Sequence, residues 1–219
     1  SYHGENINLF YEPDDAIIRY NKFRNAFIGG GSTAVIAIAY TTGHLIYGNE
    51  FYKCGGGNAT IGFNTSMGAG TKVYNNTFAG GWGASGVSIG GTGSEVFNNL
   101  WIACDAVGIE AASQGSNTTS GSTSIFRDYA GGDLRLTGAT VAGTTFGSPY
   151  NQDQLGNTRG ADGTWDRGAF EYGGVPDTTP PVISNVSTSS VTATSAVIAW
   201  TTDEAANSVV EYGMTTAYG

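Results

Sequence analysis

Apolar residues in this chain recur in short runs that alternate with polar ones, and four of those runs align without gaps. Ile18-Arg-Tyr-Asn21-Lys-Phe23, Ile46-Tyr-Gly-Asn49-Glu-Phe51, Val73-Tyr-Asn-Asn76-Thr-Phe78 and Val96-Phe-Asn-Asn99-Leu-Trp101 each read aliphatic, two residues, Asn, one residue, aromatic. Between them lie Ile36-Ala-Ile38, Ile61-Gly-Phe63, Val87-Ser-Ile89 and Val107-Gly-Ile109. The period of two in this second set predicts strands with one face buried and the other in water. The loop joining each repeat to the following strand is Gly-rich and shortens along the chain.

The repeated asparagines stand 28, 27 and 23 residues apart. A period in the twenties is one coil of a solenoid, with length variation confined to one corner. The expected fold class is all-β: a right-handed single-stranded parallel β-helix, followed by the first strands of a β-sandwich module. Coils stack at ~4.8 Å, so equal offsets become columns. Asn21, Asn49, Asn76 and Asn99 are expected to form a structural amide ladder, and Phe23, Phe51, Phe78 and Trp101 an aromatic one. Small residues follow at Ala26, Cys54, Gly81 and Cys104. The two cysteines would share a column two coils apart, roughly 9.6 Å by the same spacing. That is beyond the ~7 Å reach of a disulfide, so two buried free thiols are expected.

After Ile109 the spacing loosens through the run Ser113 to Ser124 and recovers near Ile125. The stretches Asp133-Leu-Arg-Leu136, Gly156-Asn-Thr-Arg159 and Asp166-Arg-Gly168-Ala-Phe170-Glu171-Tyr172 resemble the C-terminal end of choice-of-anchor β-helix proteins, a pectate-lyase-like solenoid group. The resemblance implies a β-helix over 1–172. Arg159, Asp166 and Glu171 are expected to cap the solenoid, because a solenoid end leaves strand edges to be covered. Gly173 to Pro181 reads as a linker, 173–181. Beyond it, 182–219 resembles the first three strands of a fibronectin-type-III-like module: Val182 to Val186, Ala196 to Trp200 and Ser208 to Tyr212. A full module needs about seven strands, so completion by further sequence or by another chain is expected.

Composition narrows the function. Charged residues are only 12% of the chain, and 18 acidic against 9 basic residues give a net charge of −9. That balance repels phosphate backbones and makes nucleic acid an unexpected partner. No apolar run reaches the ~20 residues of a membrane span. No leader precedes Ser1, and the pattern stops mid-way at Tyr218-Gly219, which suggests a processed or partial chain. An extracellular or cell-surface location is expected.

Candidate chemistry is sparse. Parallel β-helices often act on acidic polysaccharides, by Ca²⁺ held in clustered carboxylates or by two carboxyl groups ~5 to 9.5 Å apart. Asp105, Glu110 and Glu50 are the weak candidates, and Lys22 with Glu50 reads as a coil-to-coil surface pair. His3 and His44 lack neighbours at metal-ligand spacing, so neither a metal nor a cofactor is expected. Tyr20, Tyr47, Tyr74 and Phe97 form a row that faces either sugars or a covering loop. Asn58, Asn64, Asn75, Asn117 and Asn185 open Asn-x-Ser/Thr triplets, which are glycosylation candidates in an exporting host. The leading expectation is a secreted or surface structural and adhesive protein, a subunit of an extracellular fibre, with copies of itself, other surface proteins or glycans as partners. The alternative is a polysaccharide lyase, a glycoside hydrolase or a carbohydrate-binding relative.

Overall fold

The computed structural model describes residues 7–11, 14–26, 34–55, 57, 59–62, 68–173, 180–203, 206 and 209–213. The chain divides into two compact units, 1–177 and 178–219.

The first unit is built on a parallel β-helix with three strands per coil, whose parallel pairing ends at Thr118 rather than running to 172. One sheet runs β1 (Ile7–Phe10), β4 (Ile36–Ala39), β7 (Ile61–Gly62), β10 (Val87–Ser88), β13 (Ile109–Glu110). A second contains β2 (Ile17–Arg19), β5 (Leu45–Tyr47), β8 (Lys72–Tyr74), β11 (Glu95–Phe97) and β14 (Ser113–Gly115). The third holds β3 (Lys22–Arg24), β6 (Glu50–Tyr52), β9 (Thr77–Ala79) and β12 (Leu100–Ile102). Each strand pairs in parallel with its counterpart one coil away, so Ile18, Ile46, Val73 and Val96 share one column.

Each aligned repeat is therefore two strands, not one. The chain turns between them at the residue preceding the ladder asparagine, which has positive φ in every coil: Tyr20, Gly48, Asn75, Asn98 and Ser116. A second positive-φ corner follows at Asn25, Lys53, Gly80 and Ala103. Four of the first five are not glycine, and the left-handed region costs such residues about 1–2 kcal/mol. The ladder bonds closing each turn offset that cost.

The asparagine at each turn is drawn inward. Asn21 Nδ2 donates to Asn49 Oδ1, Asn49 Nδ2 to Asn76 Oδ1, and Asn76 Nδ2 to Asn99 Oδ1, each at 3.0 Å. The same oxygens also accept the backbone N–H of the preceding rung, at 3.0, 3.0 and 2.9 Å. Burying an amide is costly unless its bonding capacity is filled. Here Asn49, Asn76 and Asn99 also donate to the carbonyls of Ile18, Ile46 and Val73. Beside the amides run the rings of Phe23, Phe51, Phe78 and Trp101, stacked at 4.7, 4.7 and 4.5 Å and within 6° of parallel.

Several sequence expectations are corrected. The register does not loosen at Ser113 as the spacing suggests. β13, β14 and Asn117 build a further coil, with Asn99 donating from its backbone and from Nδ2 to Asn117 Oδ1 at 2.9 and 3.2 Å. In the fourth coil Ile109, not Val107, pairs with Val87, because the corner there is two residues longer than the apolar pattern suggests. Nor does the alternating second set keep one face in water: β4, β7 and β10 are buried at every position, as are β6, β9 and β12 in the third sheet. The antiparallel hairpin β15 (Phe126–Asp128) and β16 (Asp133–Leu136) packs Phe126, Leu134 and Leu136 on the outer face of the third sheet, against Tyr52, Ala79, Leu100 and Ile102. Both cysteines are free thiols, although Cys104 is only half-buried.

The second unit is an antiparallel hairpin of β17 (Ile183–Ser189) and β18 (Val197–Thr202), with Ile183 opposite Thr202 and Ser189 opposite Val197. The third strand expected at Ser208 to Tyr212 does not form in residues 209–213. Alternation alone supplies a face for a strand but no partner edge. Ser208 lies outside the described residues.

Candidate functional site

The three weak catalytic candidates occupy separate places. Glu50 is on β6, 2% exposed, with Oε1 held by Lys22 Nζ at 3.0 Å and by Gln154 Nε2 at 2.7 Å. Only the Glu50 end of the pair is buried, under the segment carrying Gln154, while the Lys22 side chain stays half exposed. Glu110 is exposed on β13 of another sheet and accepts from Ser88 Oγ at 2.6 Å. Asp105 is exposed at the corner after Cys104. No site gathers two of them, and among the described residues no three His, Cys, Asp or Glu side chains are grouped to hold a metal. His44 is structural: Nδ1 accepts from the Ala16 N–H at 3.2 Å and Nε2 faces Thr41 Oγ1 at 2.8 Å. Burial lowers its pKa and keeps the ring neutral.

The aromatic row is not an open sugar platform. Tyr47 and Tyr74 are buried under Phe146, Tyr150 and Trp165, with Tyr74 stacked on Phe146 at 4.5 Å. The segment after the last coil folds back to cover them, which repeat arithmetic does not reveal. Two glycosylation candidates are likewise consumed. Asn75 is buried and accepts from Trp165 Nε1 at 3.2 Å, while Asn117 Nδ2 donates to the Val96 carbonyl at 2.8 Å. Asn185 is exposed on β17; Asn58 and Asn64 lie outside the described residues.

Asp153, Arg159, Asp166 and Glu171 form a buried polar knot in the covering segment. Arg159 donates to the carbonyls of Asp166 and Gly168 at 3.2 and 3.0 Å and lies 3.6 Å from Glu171. Glu171 accepts the N–H groups of Gly160 and Asp166 at 2.5 and 3.0 Å. Asp166 holds Thr140 and Tyr172, and Asp153 holds Leu155, Asn157 and Glu171. Burial pushes Glu171 up to about 7 against the pull of those donors and of Arg159. Every carboxylate here accepts backbone N–H groups, which fixes the loops.

What stays open is a groove beside this knot, where the β15–β16 hairpin meets the segment 155–173. It has two adjoining cavities, of about 420 Å³ and about 260 Å³, sharing Arg135, Leu155 and Phe170. The larger adds Arg127, Asn157, Glu171 and Tyr172; the smaller adds Lys22, Arg24 and Asp133. Alternation on the hairpin places Arg127 and Arg135 outward while Phe126, Leu134 and Leu136 point into the core. Arg135 grips Asp133 with both Nε and Nη2, at 2.8 and 2.5 Å, and holds that carboxyl down at about 2. Arg24 donates to the Gly132 carbonyl at 2.7 Å. The sequence reading singled out none of these arginines. Their signal was the pattern Phe126-Arg-Asp with Leu134-Arg-Leu136, two strands each with an arginine on the outer face.

No protein-family model, curated protein or solved structure shows a significant match to this chain.

Proposed function

We propose that the chain is a non-enzymatic structural and adhesive β-helix of the extracellular space or cell surface. The observation that carries this reading is the use made of polar side chains: buried asparagines are committed to the coil-to-coil column, buried carboxylates to backbone, and Glu50, Glu110 and Asp105 to separate places. A chain with few charges and abundant neutral polar residues suits an exported β protein.

The first coil offers strand edges on which a further coil or another chain could stack. β1, β2 and β3 are edge strands of their sheets, and Asn21 Oδ1 has no donor among the described residues. At the other end Arg167 covers the Asn117 carbonyl at 3.2 Å and Thr118 Oγ1 at 3.1 Å. Unpaired strand edges are templates for another chain. The second unit, an exposed hairpin with Trp200 half-buried, is read as the start of a fibronectin-type-III-like module.

Negative-stain electron microscopy with sedimentation of the purified chain tests the reading, together with product analysis on a panel of acidic and neutral glycans. Ordered oligomers or fibres without glycan cleavage are expected. Isolated monomers remove the fibre; cleavage that disappears on Asp105→Ala or Glu50→Gln overturns the non-enzymatic assignment.

A further inference from the structure

We infer that Lys22 and Gln154 join in an isopeptide bond that the chain forms by itself, with Glu50 moving the protons. The Glu50 side chain is 2% exposed, and its Oε1 meets both Lys22 Nζ at 3.0 Å and Gln154 Nε2 at 2.7 Å. An amine, a carboxamide and a buried carboxyl group thus converge on one oxygen atom. Those are the parts that amide exchange needs: a nucleophile, a carbonyl carbon bearing a leaving nitrogen, and a positioned acid and base to carry protons between them.

The three parts come from separate segments, each fixed by contacts of its own. Lys22 on β3 stands in register with Glu50 on β6, one coil away. Gln154 sits in a turn that the Gly156 N–H closes on the Asp153 carbonyl at 3.1 Å, and Asp153 Oδ1 accepts the N–H groups of Leu155 and Asn157 at 2.8 and 3.0 Å. Holding the groups together replaces the rare encounter that makes amine attack on a carboxamide slow in water. The other charges at this place are Arg24, Arg135 and Asp133, which line the cavity beside Lys22 with Leu155 and Phe170. Arg135 is bound to Asp133 and Arg24 to the Gly132 carbonyl. Among the described residues Lys22 is the one cation within ion-pair distance of Glu50.

The reaction balances within the chain. Glu50 takes a proton from the Lys22 ammonium, and the freed lone pair attacks Gln154 Cδ, the carbonyl electron pair moving to oxygen. The Glu50 carboxyl then protonates Gln154 Nε2, the Cδ–Nε2 bond breaks as the carbonyl re-forms, and ammonia departs. Glu50 removes the extra proton from the new amide nitrogen and passes it to the ammonia. One C–N bond forms, one breaks, and nothing is oxidised or reduced. Because the Lys22 side chain is 52% exposed, the ammonium leaves to water on that side. The product ties the edge strand β3 of the first coil to the segment that covers the third sheet, and a cross-link between positions so far apart in sequence restricts the unfolded chain.

Intact mass and peptide mapping of the whole purified chain test this bond. The folded chain is expected to be lighter than its sequence by one ammonia, with the proteolytic peptides carrying Lys22 and Gln154 recovered as one joined species. Lys22→Arg keeps a cation beside Glu50 yet restores the full sequence mass, as does Gln154→Ala, and both variants melt cooperatively at a lower temperature than the native chain. Glu50→Gln also restores the full mass with both reacting side chains still present. Where Glu50→Gln does not melt cooperatively, the other two variants decide the case. Full sequence mass in the native chain, a joined species lacking Lys22 or Gln154, or an undiminished loss of ammonia in a folded Glu50→Gln variant overturns the assignment. Failure here leaves the non-enzymatic assembly reading standing, since fibre formation and glycan cleavage are read separately.

Discussion

Asn49 and Asn76 are joined by two hydrogen bonds, from the Asn49 backbone N–H and from its Nδ2, both reaching Asn76 Oδ1 at 3.0 Å. The relationship repeats from Asn21 to Asn117 and is the device that converts a sequence period into a stack. Removing an interior rung strands several buried groups at once: Asn76→Ala takes the acceptor from Asn49 and the donor from the Ile46 and Tyr74 carbonyls. A loss of roughly 3 kcal/mol is expected, since each unsatisfied buried group costs about 1–3 kcal/mol. Asn21 is exposed, so Asn21→Ala is expected to cost under about 1 kcal/mol. Chemical denaturation of the two variants checks the contrast.

Phe51 is sandwiched between Phe23 and Phe78, with 4.7 Å to each ring, and is fully buried. Phe51→Ala opens a cavity that both neighbours border, with an expected cost of about 3–5 kcal/mol. Phe23 is half-buried and stacked on one side only, so Phe23→Ala is expected to cost less. Calorimetric melting of both variants measures the difference.

The columns were legible because parallel stacking forces equal offsets to meet: the repeat Ile18 to Phe23 and its three successors reveal register without any structure. The corner inside each repeat was hidden, since Tyr20, Asn75 and Asn98 adopt positive φ where sequence gives no glycine. Asn117 was taken for a glycan acceptor because its coil lacks the aliphatic and aromatic neighbours of the others: Gln114 stands where Val96 stands one coil earlier. A covering loop over Tyr47 and Tyr74 was one of two readings open in the sequence, but which segment supplies it was out of reach, because the contact with Tyr150 and Trp165 spans sequence-distant segments with no shared period. The groove beside the hairpin was illegible for the same reason, as Lys22 and Arg135 meet only after the chain folds back.

Glu171 supplies a pH signature. The folded chain binds its proton more tightly than the unfolded chain does, with the pKa pushed by burial from 4.5 to about 7. Its contribution to stability is therefore greatest below pH 4.5, declines as pH rises toward 7 and levels off above. Denaturation midpoints from pH 4 to 8 are expected to show this decline in the native chain and lose it in Glu171→Gln. Identical slopes in the two proteins contradict the assignment.

Burial raises the Cys54 and Cys104 thiols to about 11, and each sulfur lies against backbone carbonyls, with Phe23 and Phe78 at 3.3 and 3.4 Å respectively. Both are neutral thiols at pH 8 and poor nucleophiles. Native alkylation followed by mass spectrometry is expected to show slow labelling, rapid labelling after denaturation, and no bond between the two.

The stacked amide column is tested most directly by proton exchange at the asparagine side chains. In a ¹⁵N-labelled sample the Nδ2 protons of Asn49, Asn76 and Asn99 are expected to exchange as slowly as buried backbone amides, with Asn21 far faster. Fast exchange at all four positions would show that the asparagines do not lie one upon another, and the fold described here would fall with them.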